Sequence, residues 1–144
     1  MGEWIERFSL QGRTALITGA SKGIGFEICR VFADAGADVV ATARDKEGLQ
    51  KVAAAVAEYG RQCHTYSCEL ADPQAITTLC DQVRNDVGHI DILVNNAGIA
   101  RVAPAQELSL DDWDTTMAVN LRAPFFAGSA ICTCNARAPV GKNY

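Results

Sequence analysis

Eight residues, Thr18-Gly19-Ala20-Ser21-Lys22-Gly23-Ile24-Gly25, bring three glycines, a serine hydroxyl and a lysine into one short stretch. Those types suit a phosphate cradle. Glycine permits positive φ in a tight turn, lets the backbone approach a pyrophosphate, and lets a helix lie close on a strand. Free N–H groups at a helix start, with the positive end of the helix dipole, then hold the anion. A purely structural turn also uses glycine. A strand before the loop and a helix after it favour the phosphate reading. Residues 13–18 (RTALIT) form a short apolar run, and a helical period begins at Ile24.

Three other places could carry chemistry. Asn95-Asn96-Ala97-Gly98 follows another apolar run; read alone, it is an Asn-Gly turn. Arg44 follows the run Asp38 to Thr42, and its planar guanidinium suits a phosphate. Asn120 lies seven residues after Trp113 and three after Met117, on the apolar face of a helix. A buried amide there must find partners or cost a few kcal/mol. The plain alternative is a helix-distorting core asparagine bonded to backbone. His64 and His89 have no pairing that suggests acid–base work and are expected in or near loops. Cys132 and Cys134 form a CxC without a partner pair, short of the four ligands a zinc site needs, so no metal is expected.

The elements that would position these residues alternate. Ile24, Ile28, Val31, Phe32 and Ala35 fall on one helical face, with Gly36 in the place of a C-terminal cap. Asp38 to Thr42 reads as a second strand. Leu49, Val52, Ala53 and Val56 mark a second helix closed by Gly60. Gln62 to Tyr66 is a weaker third strand. Asp72-Pro73 opens a third helix, a capping carboxylate followed by a proline whose missing N–H costs nothing there. Ile76, Leu79, Cys80, Val83 and Val87 form its buried face, and Gly88 ends it. Ile90 to Asn95 is a fourth strand. Ser109, with Asp111 and Asp112 in the first turn, caps a fourth helix carrying Trp113, Met117 and Leu121. Strands separated by such helices imply β-α-β units and a parallel sheet with ligands at the carboxyl ends of its strands. The expected fold is α/β, a Rossmann-type doubly wound parallel sheet, truncated after the fourth strand and fourth helix.

The glycine spacing differs from the generic GxGxxG and resembles the TGxxxGxG of the short-chain dehydrogenase/reductase family. Asn95-Asn96-Ala97-Gly98 resembles a second signature of that family, and the resemblance runs from about Phe8 to Phe126. It implies that Gly19, Ser21, Lys22, Gly23, Ile24 and Gly25 line a cofactor diphosphate. It places Glu69 and Leu70 beside the adenine, with Glu69 standing where the family usually has Asp. It places Asn96, Ala97 and Gly98 on the floor near the adenine ribose. Ala43 takes the position of the acidic residue that bonds both ribose hydroxyls of NAD, and Arg44 follows it, as an arginine does to accommodate the 2′-phosphate of NADP. Lys22 adds a second positive charge. NADP(H) is therefore favoured. NAD(H) remains open through Asp45, should the strand end later, as does a merely solvated Arg44.

The resemblance also implies a catalytic group of Asn, Ser, Tyr and Lys, of which only Asn120 can be placed. Tyr59 and Tyr66 have no lysine four residues on, Tyr144 is the last residue, and Ser129 comes before any fifth strand. The implied activity is hydride transfer between NADP(H) and a carbonyl/alcohol pair, with no turnover expected of the 144 residues alone. Sugars, polyols, ketones and 3-oxoacyl thioesters stay open as substrates. A non-catalytic nucleotide-binding or interaction fragment is the alternative. A Rossmann-type methyltransferase fits the sheet but not TGxxxGxG with NNAG. A homo-oligomer is expected of a full-length relative.

Residues 1–126 read as the dinucleotide-binding portion. Residues 127–144 read as an atypical tail without a clean strand or helix period. A frameshift near Phe126 would explain it, since a neighbouring frame can be back-translated to Pro-Ala-Met and Arg-Ile-Ile; a short splice form or a degenerate gene product would also. Nearly half the residues are apolar, the net charge is −4, and no basic stripe points to nucleic acid. The apolar runs are too short to span a bilayer. The first residues, MGEWIERFSLQG, carry no apolar signal core and fail the myristoylation pattern. The other cysteines, 29, 63, 68 and 80, read as buried thiols of a cytoplasmic protein.

Overall fold

A computed structural model describes residues 7–136, without the side chains of 132–134 and 136. The readings of the N-terminal leader, the CxC and the last eight residues fall outside what is described.

Four parallel strands form one sheet: β1 (Thr14–Thr18), β2 (Asp38–Ala43), β3 (Cys63–Ser67) and β4 (Ile92–Val94), in the order β3-β2-β1-β4. Leu16 lies between Val40 on one side and Leu93 on the other. The helices are α1 (Gly23–Asp34), α2 (Lys46–Ala57), α3 (Pro73–Asp86), α4 (Leu110–Met117) and α5 (Ala123–Ala136), with a π turn, Ala118–Arg122, joining the last two. The chain goes outward from β1 through β2 to β3, then returns to the other side of β1. That reversal opens a crevice beyond the carboxyl ends of β1 and β4, where doubly wound sheets take their ligands.

Successive strand residues face opposite sides of a sheet, so one run feeds two cores. Ala15, Ile17, Val39 and Ala41 pack with Cys29 and Ala33 of α1 and with Leu49, Val52 and Val56 of α2. Leu16 and Val40 pack on the other side with Ile76, Leu79, Cys80 and Val83 of α3 and with Ala123 and Ile131 of α5. Each fully buried branched aliphatic side chain contributes roughly 1.5–3 kcal/mol through removal from water. The caps form as expected. Asp72 Oδ1 accepts the Gln74 N–H at 2.9 Å ahead of Pro73, and Ser109 Oγ accepts the Asp112 N–H at 3.0 Å. Gly36 and Gly60 follow α1 and α2 with φ of 101° and 68°.

Several expectations are corrected. Helix α1 buries Gly25, Cys29 and Ala33, while Ile24 is 74% and Val31 61% exposed. Small residues one turn apart let α1 lie close on the sheet, which rotates its larger residues to the flanks. Trp113 and Leu121, on the apolar face of the fourth helix, are 53% and 60% exposed, and α4 buries none of its residues. The π turn accounts for this: its extra residue shifts the inward face to Ala118, Val119, Ala123, Ala127 and Ile131. The stretch after Phe126 is also helical, to Ala136. Its period escapes notice because the buried positions are largely small. His64 lies within β3 rather than in a loop, and Cys63 is only partly buried. Among the described residues, no helix is long and apolar enough to cross a membrane.

Candidate functional site

A cavity of about 810 Å³ opens over the carboxyl ends of the strands. Its lining comes from five segments far apart in sequence: the loop after β1, the ends of β2 and β3, the segment after β4, and the junction of α4 with the π turn. Gly19, Ser21, Lys22, Gly23, Ile24, Gly25, Arg44, Glu69, Leu70, Asn96, Ala97 and Gly98 all lie on its wall. The fold thus gathers all twelve positions expected to contact a cofactor. Ala43 and Asp45, weighed from the sequence for the ribose end, also line it, as do Ile99, Arg101, Thr115 and Val119, which were not singled out from sequence.

The glycine loop is shaped by two constraints. Gly19 and Gly23 have φ of 65° and 57°, a region that side chains disfavour. Gly25 is required for packing, because a Cβ there would collide with the Gly19 carbonyl oxygen and the Asn96 amide. Lys22 occupies the N-cap of α1 in an extended conformation with no side-chain cap, and the first turn carries no acid. The starts of α3 and α4, by contrast, are closed by Asp72 and Ser109. An uncapped helix start beside Lys22, on the cavity wall, leaves N–H groups and positive dipole facing the cavity, an arrangement suited to a diphosphate.

Asn96 fastens this loop to β4. Its Nδ2 donates to the carbonyl oxygens of Thr18 at 2.9 Å and Gly19 at 3.1 Å. Thr18 returns the contact: its Oγ1 accepts the N–H of Asn96 at 3.1 Å and of Ala97 at 3.0 Å, and donates to the Val94 carbonyl at 3.4 Å. The segment is therefore a clamp and not an Asn-Gly turn, and Gly98 takes no positive φ. Thr18 was missed as a functional position. The signal available was a hydroxyl on the last residue of a buried strand, next to the glycine loop.

Beyond β2 and β3, the loops are tied together. The Cys68 N–H donates to the Ala43 carbonyl at 3.0 Å and Ser67 Oγ to the Arg44 carbonyl at 3.3 Å. Arg44 Nη1 meets Glu69 Oε2 at 3.4 Å, while Glu69 Oε1 accepts the Ala71 N–H at 3.1 Å. Ala43 is buried at the end of β2, and Asp45 stands at the N-cap of α2.

Asn120 is exposed, against the expectation that it would be buried, and it lies in the π turn. Its Oδ1 accepts the Ile99 N–H at 2.9 Å and its Nδ2 donates to the Ile99 carbonyl at 2.8 Å. The helix distortion and backbone bonding of the plain alternative are both present. The residue does not itself line the cavity; Ile99 does. Cysteines near the sheet are poor nucleophiles. Burial first, then the neighbouring Cys63, pushes the Cys29 thiol up to about 12, and burial pushes Cys63 up to about 11. Among the described residues, no cluster of His, Cys, Asp or Glu could hold a metal ion.

Known proteins share this arrangement. A family model described as short chain dehydrogenase matches residues 13–142. A D-threitol dehydrogenase of Mycolicibacterium smegmatis is 42% identical over 124 residues, covering 86% of this chain and 48% of the relative. A fatty acyl-CoA reductase of Acinetobacter baylyi is 41% identical over 120 residues, covering 82% of this chain and 41% of the relative. The crystal structure of a short chain dehydrogenase from Burkholderia cenocepacia, in complex with NADP, superposes with a TM-score of 0.82 at 42% identity, covering 86% of this chain and 51% of that one. The chain spans about half the length of the curated relatives it matches.

Proposed function

The chain belongs to the short chain dehydrogenase family, and from that premise we propose that its cavity binds NADP(H) as the nucleotide half of a carbonyl/alcohol oxidoreductase. The observation carrying this reading is the single cavity that unites the uncapped start of α1 with Lys22, Arg44 and Glu69. The diphosphate would rest on the N–H groups of the loop from Gly19 to Gly25, with the adenine beside Glu69 and Leu70. Arg44 and Lys22 would meet a 2′-phosphate, and the absence of an acid at Ala43 favours NADP(H) over NAD(H). Asn96, Ala97 and Gly98 would form the floor.

When bound, the nicotinamide would supply or accept the hydride. Asn120, which holds the backbone of Ile99 on the cavity wall, would steady a proton-relay water. The 144 residues contain no Tyr-x-x-x-Lys, so they would bind the nucleotide without turning it over. Two relatives of nearly equal identity are named for a polyol and a fatty acyl thioester, which argues against assigning the substrate from this half. The free thiols of Cys29, Cys63 and Cys68 fit the cytoplasm.

Titration of the purified chain with NADPH and NADH, followed by cofactor fluorescence, tests the reading. Saturable NADPH binding, tighter than NADH, is expected; no saturation with either nucleotide would overturn it. A second reading rests on the uncovered apolar side chains Trp113, Leu121 and Phe125, which suit a contact between copies of the chain. Sedimentation of the chain and of Leu121→Asp distinguishes a self-associating face from a bare one.

A further inference from the structure

We propose that Glu69 sets how strongly this cavity discriminates between phosphorylated and unphosphorylated adenosine riboses, by competing for the Arg44 guanidinium. This rests on the reading of the cavity as a nicotinamide dinucleotide site and assigns a specificity role within it.

The two side chains reach the cavity from different strand ends, Arg44 beyond β2 and Glu69 beyond β3. Their backbones are already tied, through Ser67 Oγ on the Arg44 carbonyl and the Cys68 N–H on the Ala43 carbonyl. The side-chain pair, at 3.4 Å, is therefore not needed to hold the loops together. Its two carboxylate oxygens divide the work. Oε1 accepts the Ala71 N–H, a local bond that orients the side chain. Oε2 is thereby turned toward Arg44.

A guanidinium engaged by a carboxylate has less to offer an incoming phosphate, and a phosphate placed nearby also meets the carboxylate charge. Both effects penalise a 2′-phosphate and leave a plain ribose untouched. The pair is open to water, with side chains 71% and 47% exposed. The penalty is correspondingly modest: an exposed pair shifts an equilibrium by roughly two- to fivefold. Glu69 is thus a positioning residue. It acts through Arg44 and moderates an NADP(H) preference that Arg44 and Lys22 would otherwise make steeper.

Glu69→Gln separates this role from a structural one, because the amide oxygen can still accept the Ala71 N–H while the charge is gone. Dissociation constants for NADPH, NADH and adenosine 2′,5′-bisphosphate are measured for the wild-type chain and for Glu69→Gln, at low and high salt. The expected result is an affinity ratio of NADPH over NADH raised roughly two- to fivefold, whatever the substitution does to the adenine contact common to both, and a gain that shrinks with salt. In an Arg44→Ala background, the gain of NADPH over NADH from the same substitution should shrink to less than about twofold, since the pair is already absent and only the screened repulsion between carboxylate and phosphate remains. An equal change for NADPH and NADH, no change for either, or an undiminished gain without Arg44 overturns the proposal. If the wild-type chain binds neither dinucleotide, the cavity reading itself has failed. If it binds both and Glu69→Gln leaves their ratio fixed, the failure is that of Glu69 alone.

Discussion

Asn135, near the end of α5, bonds both backbone groups of Ile90. Its Oδ1 accepts the Ile90 N–H at 3.3 Å and its Nδ2 donates to the Ile90 carbonyl at 2.7 Å. Asn120 makes the same two-point contact with Ile99. The segment containing β4 is therefore held before and after the strand by amides from one continuous helical arm. β4 is an edge of the sheet and only three residues long. Side-chain amides thus supply order that a short strand cannot provide alone.

Replacing Asn135 with Ala leaves the partly buried Ile90 N–H and carbonyl without these partners. The expected loss is about 1–2 kcal/mol, from the cost of unpaired polar groups. Thermal unfolding should show a midpoint lower by about 3–10 °C, from the scaling for domains of this size. A midpoint unchanged within error would mean that water serves Ile90 equally well.

Thr18 and Asn96 couple stability to ligand binding. Thr18→Val keeps the shape but removes the acceptor for two N–H groups, those of Asn96 and Ala97. The expected cost is about 1–3 kcal/mol of stability. Because the clamp holds the glycine loop, NADPH binding should weaken as well, by about tenfold for each 1.4 kcal/mol of ordering lost. Calorimetric melting and NADPH titration of the same variant check both effects. Weaker melting with unchanged affinity would separate the clamp from the site.

What was legible in the sequence is what local physics decides. Asp72-Pro73 and Ser109 announce helix starts because a cap involves residues two or three apart, and both caps form. The glycine loop was readable because its spacing reflects backbone demands. The rotation of α1 was not. Ile24 and Val31 fit a helical period as well as Cys29 and Ala33 do, and only the close approach required at Gly25 selects the small face. The π turn hid the inward face of α4 and α5 for a related reason, since an extra residue breaks the period used to read it. Thr18 was not recognised because its partners, Asn96 and Ala97, come from another strand end.

Arg44 makes a prediction about selectivity. Arg44→Ala should weaken NADPH binding by roughly ten- to a hundredfold, the scale of one charge-assisted phosphate contact at about 1.5–3 kcal/mol. NADH binding should change little. Parallel titrations check this, and equal losses for both nucleotides would place the guanidinium away from the 2′ position.

Asp91 governs the acid side of stability. The Thr14 N–H on its Oδ2 at 2.9 Å, and the Arg13 guanidinium on its Oδ1 at 3.0 Å, hold this carboxyl below its ordinary value against an opposing cost of burial. A depressed folded-state value means that the ionised form is preferred in the folded chain. Its stabilisation is complete above the unfolded value of about 3.9 and is lost as pH falls through the lower folded value. Unfolding midpoints of the wild-type chain should therefore fall steeply as pH drops below about 4, through this group among others. Asp91→Asn removes the charge but leaves an oxygen for Thr14, and should lower stability at pH 7 by about 1 kcal/mol, the scale of a charge-assisted bond discounted for solvent. Its deficit should shrink as pH falls below the ordinary carboxylate value, where Asp91 of the wild type is itself increasingly protonated. Urea titrations at pH 7, 4 and 2.5 measure the difference; a deficit that stays constant across that range would place the contribution of Asp91 in packing rather than in charge.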